Sequence, residues 1–241
     1  MEHSQEKQHK TEPLSEDKKE KKAKLGFYLV LGFIVGLIVL FLIFSIFIGN
    51  FQVWFAKKPV QLTYQGLSFT LEAMNGLTIY HLNYPLLHPS GKVFYNNLLL
   101  RNDPSKNNVS VEGRLTFEGD NDLYVSVDSN NLRVCPNILR DVSFIPYFMV
   151  NNFFNVSTGN TNATVSQTDN LTYYSCENNP DKNVIAILPS FNNVTRIVHT
   201  GKCYKIYVAN CDLLNASEKF EVQAIIDNQE KLLTIGRFTP N

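Results

Sequence analysis

Histidine side chains are the first candidates for acid–base or metal chemistry in this chain, and their spacing fits neither role. His81 and His88 lie seven positions apart across Pro85, in the stretch IYHLNYPLLHP. This spacing matches no known set of metal ligands. His199 is distant from both in sequence. We interpret all three as ordinary strand or surface residues.

The carboxylates and the absence of known catalytic motifs also argue against acid–base or metal chemistry. Four acidic residues cluster near one turn, namely Glu112, Glu118, Asp120 and Asp122. A solvated turn explains them, because a calcium site needs a denser array of oxygen ligands. The chain has no Gly-x-Ser-x-Gly, no His-Glu-x-x-His and no glycine-rich phosphate loop. The sequence therefore predicts a protein that is not an enzyme, with no catalytic residue, no metal and no cofactor.

Four cysteines predict two disulfides. Cys135, Cys176, Cys203 and Cys211 form an even set without a Cys-x-x-Cys pair, which favours disulfides in an oxidising compartment over a zinc site. The stretch between Cys203 and Cys211 is typical of a strand. Eight extended residues span about 26 Å, whereas bonded cysteines need Cα atoms within about 7 Å. Cys203 and Cys211 are thus expected to bond Cys135 and Cys176 rather than each other, in either of two pairings.

Six Asn-x-Ser/Thr triplets predict N-glycosylation, provided that they lie outside the cytoplasm. Three of them crowd into residues 151–176, where few apolar residues separate Val156 from Leu171, so we expect a glycan-bearing surface loop there. The acceptor residues are Asn108, Asn155, Asn162, Asn170, Asn193 and Asn215.

Residues 25–48 predict a membrane anchor that places the triplets outside. Leu25 to Ile48 is a run of 24 residues without a charge, and a helix of that length covers about 36 Å, enough for a bilayer core of about 30 Å. The run is too long for a cleaved signal peptide. Five lysines between Lys18 and Lys24 precede it, and flanking lysines mark the cytoplasmic side. The topology is therefore type II.

The anchor divides the chain into four parts. Residues 1–24 are expected to form a disordered basic cytoplasmic tail, 25–48 the anchor, 49–59 a juxtamembrane segment and 60–241 a glycosylated β-rich ectodomain. Within the anchor, Gly32 and Gly36 match the small-xxx-small pattern of packed membrane helices. Charge is balanced, with 22 basic and 22 acidic residues, so no nucleic-acid partner is expected.

The ectodomain sequence is typical of an antiparallel β-sandwich. Asn75-Gly76 between two apolar runs predicts a hairpin, and residues 115–127 predict a second one around Gly-Asp-Asn-Asp. Residues 183–189 and 203–210 are rich in β-branched and aromatic residues and predict two shorter strands. Residues 220–238 predict a third hairpin, with a strand at 220–226 that alternates with period two before Asp227-Asn228. Pro146 is expected to interrupt any helix around residues 138–154.

These features favour a non-enzymatic type II membrane glycoprotein that binds a protein partner or self-associates, at the plasma membrane or in the secretory pathway. One alternative is a membrane-active protein of the entry or fusion type, which would use the aromatic segment 144–154. A buried segment would argue against it. Another alternative is an accessory subunit of a lumenal enzyme, which a concave pocket with convergent polar groups would support.

Overall fold

The computed structural model describes residues 31–45, 60–88, 90–117 and 121–236, with side chains described up to Asn228. The chain divides into two units, Met1–Lys58 and Pro59–Asn241.

The first unit contains one described helix, α1, over residues 31–45. Its large apolar side chains are exposed, from 46% for Leu31 to 70% for Phe41. Among the described residues, no helix is both long and apolar enough to cross a membrane. The other positions of the predicted anchor, Leu25–Ile48, lie outside the described residues, so the anchor stays a prediction.

The second unit is mainly β and begins with a four-stranded antiparallel sheet. Its strands follow one another in chain order: β1 (Val60–Tyr64), β2 (Leu67–Met74), β3 (Leu77–Leu87) and β4 (Val93–Leu100). The predicted Asn75-Gly76 hairpin is confirmed. Both residues have the positive φ, 51° and 80°, that a type I′ turn requires.

A six-stranded mixed sheet forms the second half of this unit. Its order is β5-β9-β10-β8-β6-β7, in which β6, β7, β8 and β10 run parallel. The predicted strands at 183–189 and 203–210 are confirmed, and the second ends two residues earlier than predicted, at Val208. The strand bounds are β5 (Ser110–Glu112), β6 (Asp122–Val127), β7 (Asn155–Asn160), β8 (Asn183–Pro189), β9 (Arg196–Thr200) and β10 (Cys203–Val208).

Four helices complete the unit, and the longest corrects the sequence interpretation. They are α2 (Ser129–Leu132), α3 (Ile138–Asn151), α4 (Ala163–Thr168) and α5 (Leu213–Gly236). The hairpin predicted at residues 220–238, with its strand at 220–226, is wrong, because residues 220–236 belong to α5. The helix contacts β3 of one sheet and β9 and β10 of the other, so the sheets do not stack directly as the predicted sandwich required.

Three other local predictions are wrong. The hairpin predicted at residues 115–127 is wrong in its described part, since residues 115–117 belong to no strand and β6 pairs in parallel with β7 and β8. Helix α3 continues through Pro146, because the burial of Ile145, Phe148 and Met149 offsets a proline cost of about 3 kcal/mol. The expected loop at 151–176 contains β7 and α4.

Two disulfides are confirmed, and both join segments that are distant in sequence. Cys135 bonds Cys211, linking the turn after α2 to the start of α5, and Cys176 bonds Cys203 at the start of β10. No cysteine is free. As strand geometry required, Cys203 and Cys211 do not bond each other.

Candidate protein-binding surface

The face of the four-stranded sheet that points away from α5 is the strongest candidate for a binding surface. Alternate residues such as Phe69, Leu82 and Leu98 point into the core and are buried. Cross-strand partners share a face, and the pairs His81–Leu99, Asn83–Asn97 and Pro85–Tyr95 lie on the opposite side. We define the outer face by Glu72, His81, Asn83, Tyr95, Asn97 and Leu99.

A hydrogen-bonded polar cluster occupies the centre of the outer face. His81 Nδ1 lies 2.6 Å from Glu72 Oε1, and His81 Nε2 lies 2.9 Å from Asn97 Oδ1. Asn83 Nδ2 donates to the same Asn97 oxygen at 3.0 Å. The hydrogen bond to Asn97, followed by the bond to Glu72, raises the pKa of His81. The cluster therefore favours the imidazolium, which donates from both ring nitrogens.

Apolar side chains surround this cluster and are open to solvent. Tyr95 is 71% exposed, Leu99 52% and Val93 54%, and Met74 and Leu77 at the adjoining hairpin are 48% and 60% exposed. These residues share one face of the sheet, and apolar groups that gather on an exposed face often mark contact sites. An aromatic and aliphatic surface with a few fixed polar groups is the composition found at the centre of protein interfaces.

All six predicted glycosylation sites lie in the part of the chain that follows the four-stranded sheet. Asn108 precedes β5, Asn155 begins β7 and Asn162 caps α4 with its side-chain oxygen. Asn170 and Asn193 adopt the left-handed conformation, with φ of 52° and 56°. Four of these side chains are exposed and Asn162 is half-buried.

Asn215 differs from the other acceptors because its side chain joins a polar network at the start of α5. Its Nδ2 donates to Asp212 Oδ1 at 2.6 Å, and its Oδ1 accepts from Asn102 Nδ2 at 2.9 Å. Its carbonyl oxygen accepts from Asn107 Nδ2 at 2.8 Å. The network ties the residue to the loop after β4, so a glycan there would compete with the Asp212 bond.

The other histidines and the turn carboxylates have structural partners. His88 contacts Ser90 Oγ at 2.7 Å, and His199 stacks on Tyr204 with ring centroids 4.4 Å apart. Glu112 lies 3.7 Å from Arg196 and Asp122 lies 3.9 Å from Lys182; Glu118 and Asp120 lie outside the described residues. The part of the chain that the structure describes contains no group of three potential metal ligands.

Four of the five aromatic rings in segment 144–154 pack against other side chains, and two of them, Phe148 and Phe154, contribute to the core. Phe148 is buried, Phe153 packs against His88 and Phe94, and Phe154 packs against Phe117. Arg101 covers the half-buried ring of Phe144. Tyr147 is the exception, with 70% exposure. Inserting this segment into a membrane would require most of its aromatic contacts to break.

A concave pocket of about 270 Å³ opens between β3, α3 and α5, and its walls are largely apolar, including Leu86, Phe117 and Met149. Its polar side chains bond within the protein. Asn152 Nδ2 donates to the Tyr84 hydroxyl at 3.0 Å and to the Phe148 carbonyl at 2.7 Å. Burial is the main reason that the pKa of Tyr84 rises to about 12. No acid–base pair converges on the cavity among the residues that line it.

Two buried carboxyl groups on α5 were missed by the sequence analysis, which placed this stretch in a strand. Glu218 accepts from the backbone N–H of Arg101 at 2.6 Å and of Asn102 at 3.3 Å. Glu221 lies one turn further on and is 4% exposed. Burial, and then the neighbouring Glu218, raise the pKa of Glu221 to about 8. A helical interpretation would have placed both on one face, three residues apart.

Comparison with known proteins gave no match: no family model fits the chain, and no curated protein or solved structure is significantly similar to it. No function is therefore carried over from a relative.

Proposed function

We propose that the chain is a non-enzymatic, single-pass type II membrane glycoprotein whose ectodomain binds a protein through the outer face. The observation that carries the proposal is a contrast between the two sheets. The four-stranded sheet exposes Tyr95, Leu99 and Val93 and contains no acceptor triplet, whereas every acceptor lies later in the chain. Glycans hinder close approach, so a protein partner is expected on the surface without them.

The membrane anchor has its own support. The described part of the predicted span is helical, and its apolar side chains are exposed on all sides. A helix that is apolar all round needs an apolar environment. Ser45 Oγ, its single polar side-chain group, donates to the Phe41 carbonyl at 2.9 Å, which satisfies the hydroxyl within the helix.

The two alternatives receive less support. A membrane-active role would use an aromatic segment in which every ring except the exposed Tyr147 is packed within the ectodomain. A role in an enzyme complex would draw on the pocket beside α3, but its polar side chains are engaged with one another. Two disulfides agree with a lumenal or extracellular ectodomain.

Site-specific photo-cross-linking in membranes tests the proposal. A photoreactive amino acid is placed at Tyr95 of the full-length protein, and the matched control carries it at Phe191, which is 95% exposed but lies between β8 and β9. We expect a discrete protein adduct from position 95 and none from position 191. The adduct's mass distinguishes a second copy from another protein. Equal labelling at both positions, or none at position 95, would contradict binding through the outer face.

A further inference from the structure

The six-stranded sheet ends in β7, and half of this edge strand is open. Asn160, its last residue, donates its N–H to the Thr172 carbonyl at 2.8 Å and accepts from the Tyr174 N–H at 3.0 Å. The chain thus covers the edge at this end. In a parallel ladder, alternate residues direct both backbone groups to the same side. The backbone N–H and C=O groups of Val156 and Thr158 therefore point away from β6, as those of Asn160 do. No strand of the described chain pairs with them.

This open half lacks the usual protection of an edge strand. Natural sheets protect exposed edges with charged residues, proline, very short strands or a covering segment. The strand reads NVSTGN, with no charge and no proline. The opposite edge, β5, is only three residues long and ends in Glu112. The unprotected edge is instead the place where an acceptor triplet, Asn155-Val-Ser, lies within the strand itself.

We propose that the N-glycan on Asn155 covers the open edge of β7 and prevents a second copy of the chain from adding its own β7 there. The inference rests on the proposed glycosylation of the ectodomain. The Asn155 side chain is exposed at the first residue of β7. Its Nδ2 lies 3.3 Å from Asp122 Oδ1 on the neighbouring strand β6, so the glycan starts above the β6–β7 pair and extends outward over the edge. This role of the glycan also explains why an acceptor triplet is found inside a strand rather than in a loop.

The excluded pairing is an antiparallel one centred on Ser157. Two identical edges can meet about a twofold axis, so that Ser157 faces Ser157 and a residue before it faces the residue equally far after it on the other copy. Asn155 of one copy then lies opposite Gly159 of the other. Gly159 is covered by its own chain, since a Cβ there would be 2.6 Å from Tyr174 Cδ2. A glycan on Asn155 would collide with this packed surface, whereas a bare asparagine would fit.

Removing one glycan at a time from the full-length protein tests the proposal. Ser157→Ala removes the acceptor triplet and keeps Asn155. Thr164→Ala is the matched control, because it removes the triplet of Asn162, keeps the side chain that caps α4, and changes an exposed residue. Glycopeptide mass spectrometry reports occupancy of Asn155. Light scattering in detergent and hydrogen exchange of the Val156 and Thr158 amides report pairing.

We expect Asn155 to be occupied in the parent, and Ser157→Ala to double the protein mass and slow exchange at both amides. The control should keep the parent's mass and exchange. An occupied Asn155 with no change in Ser157→Ala would overturn the edge proposal and leave the glycoprotein proposal standing. If both variants associate to the same extent, the loss of any one glycan lowers solubility in general, and this result would also overturn the edge proposal. An unoccupied Asn155 beside other occupied sites refutes this inference alone, whereas no glycan at any site refutes the glycoprotein proposal.

Discussion

Replacing Glu221 with glutamine should stabilise the ectodomain at neutral and alkaline pH. The carboxyl group is 4% exposed, and burial beside Glu218 raises its pKa from 4.5 to about 8. Between these values the folded protein binds a proton that the unfolded chain does not. Stability is therefore complete below about pH 4.5 and falls as the pH rises toward 8.

The size of the effect follows from this difference in pKa. At about 1.36 kcal/mol for each pKa unit, a rise from 4.5 to about 8 corresponds to a loss of up to about 5 kcal/mol. Glutamine has nearly the same shape and cannot ionise. Glu221→Gln should therefore match the parent near pH 4.5 and exceed its stability by several kcal/mol at pH 8, about the difference that the raised pKa allows.

Chemical unfolding of the full-length protein in detergent, from pH 4.5 to 8.5, measures this difference. His81, whose pKa is also raised, and Glu218, whose pKa burial raises, add slopes of the same sign. The comparison between parent and variant isolates Glu221 from both. The control Glu112→Gln changes an exposed carboxylate and should keep the parent's slope. A Glu221→Gln protein with the parent's pH dependence, or with lower stability at pH 8, would refute the reasoning.

Three other predictions concern the disulfides, the network at α5 and the anchor. Removing the Cys135–Cys211 bond, which closes a loop of 76 residues, should cost about 4.5 kcal/mol by the loop-entropy relation, measured by unfolding; a change below about 1 kcal/mol would contradict it. Asn215→Ala should cost about 1 kcal/mol because it removes two hydrogen bonds between half-buried side chains, and an unchanged melting temperature would count against the network. Gly32→Ile with Gly36→Ile should abolish any dimer that cross-linking detects in membranes, because bulky residues block close helix packing; an unchanged dimer yield would reject that role.

Local sequence patterns predicted the elements whose structure depends on local chemistry. The Asn75-Gly76 turn is determined by two residues that accept positive φ, and the structure has both. The length of one strand, β10, is enough to exclude a bond between Cys203 and Cys211. Neither conclusion needed knowledge of what packs against these residues.

The central helix could not be recognised from its pattern because it is surrounded. Along α5, the consecutive residues Ala216, Ser217 and Glu218 are all buried, since the helix contacts both sheets. Burial on several sides removes the one-sided period of 3.6 residues that identifies a surface helix. Phe220, Val222, Ala224 and Ile226 then imitate the alternation of a strand.

Parallel pairing explains why the sequence did not predict β6 and β7 correctly. Their partner strands come from distant parts of the chain, and no turn signal joins them. The pattern at residues 115–127 suggested a hairpin because Leu115 and Phe117 are apolar and precede a turn. In the structure the backbone N–H of Leu115 instead donates to Asp227 Oδ2 of α5 at 2.7 Å, a contact that spans 112 residues.

The outer face could be found only once register was known, because its polar cluster comes from three strands. Glu72, His81 and Asn97 are up to 25 positions apart in the sequence, and pairing of β2, β3 and β4 brings them together. Both ring nitrogens of His81 are engaged within the cluster, by Glu72 and by Asn97, so His81 has no ring nitrogen left to offer a partner. A partner would gain most from covering Tyr95 and Leu99. Truncating these apolar side chains should therefore weaken the proposed interaction more than replacing His81.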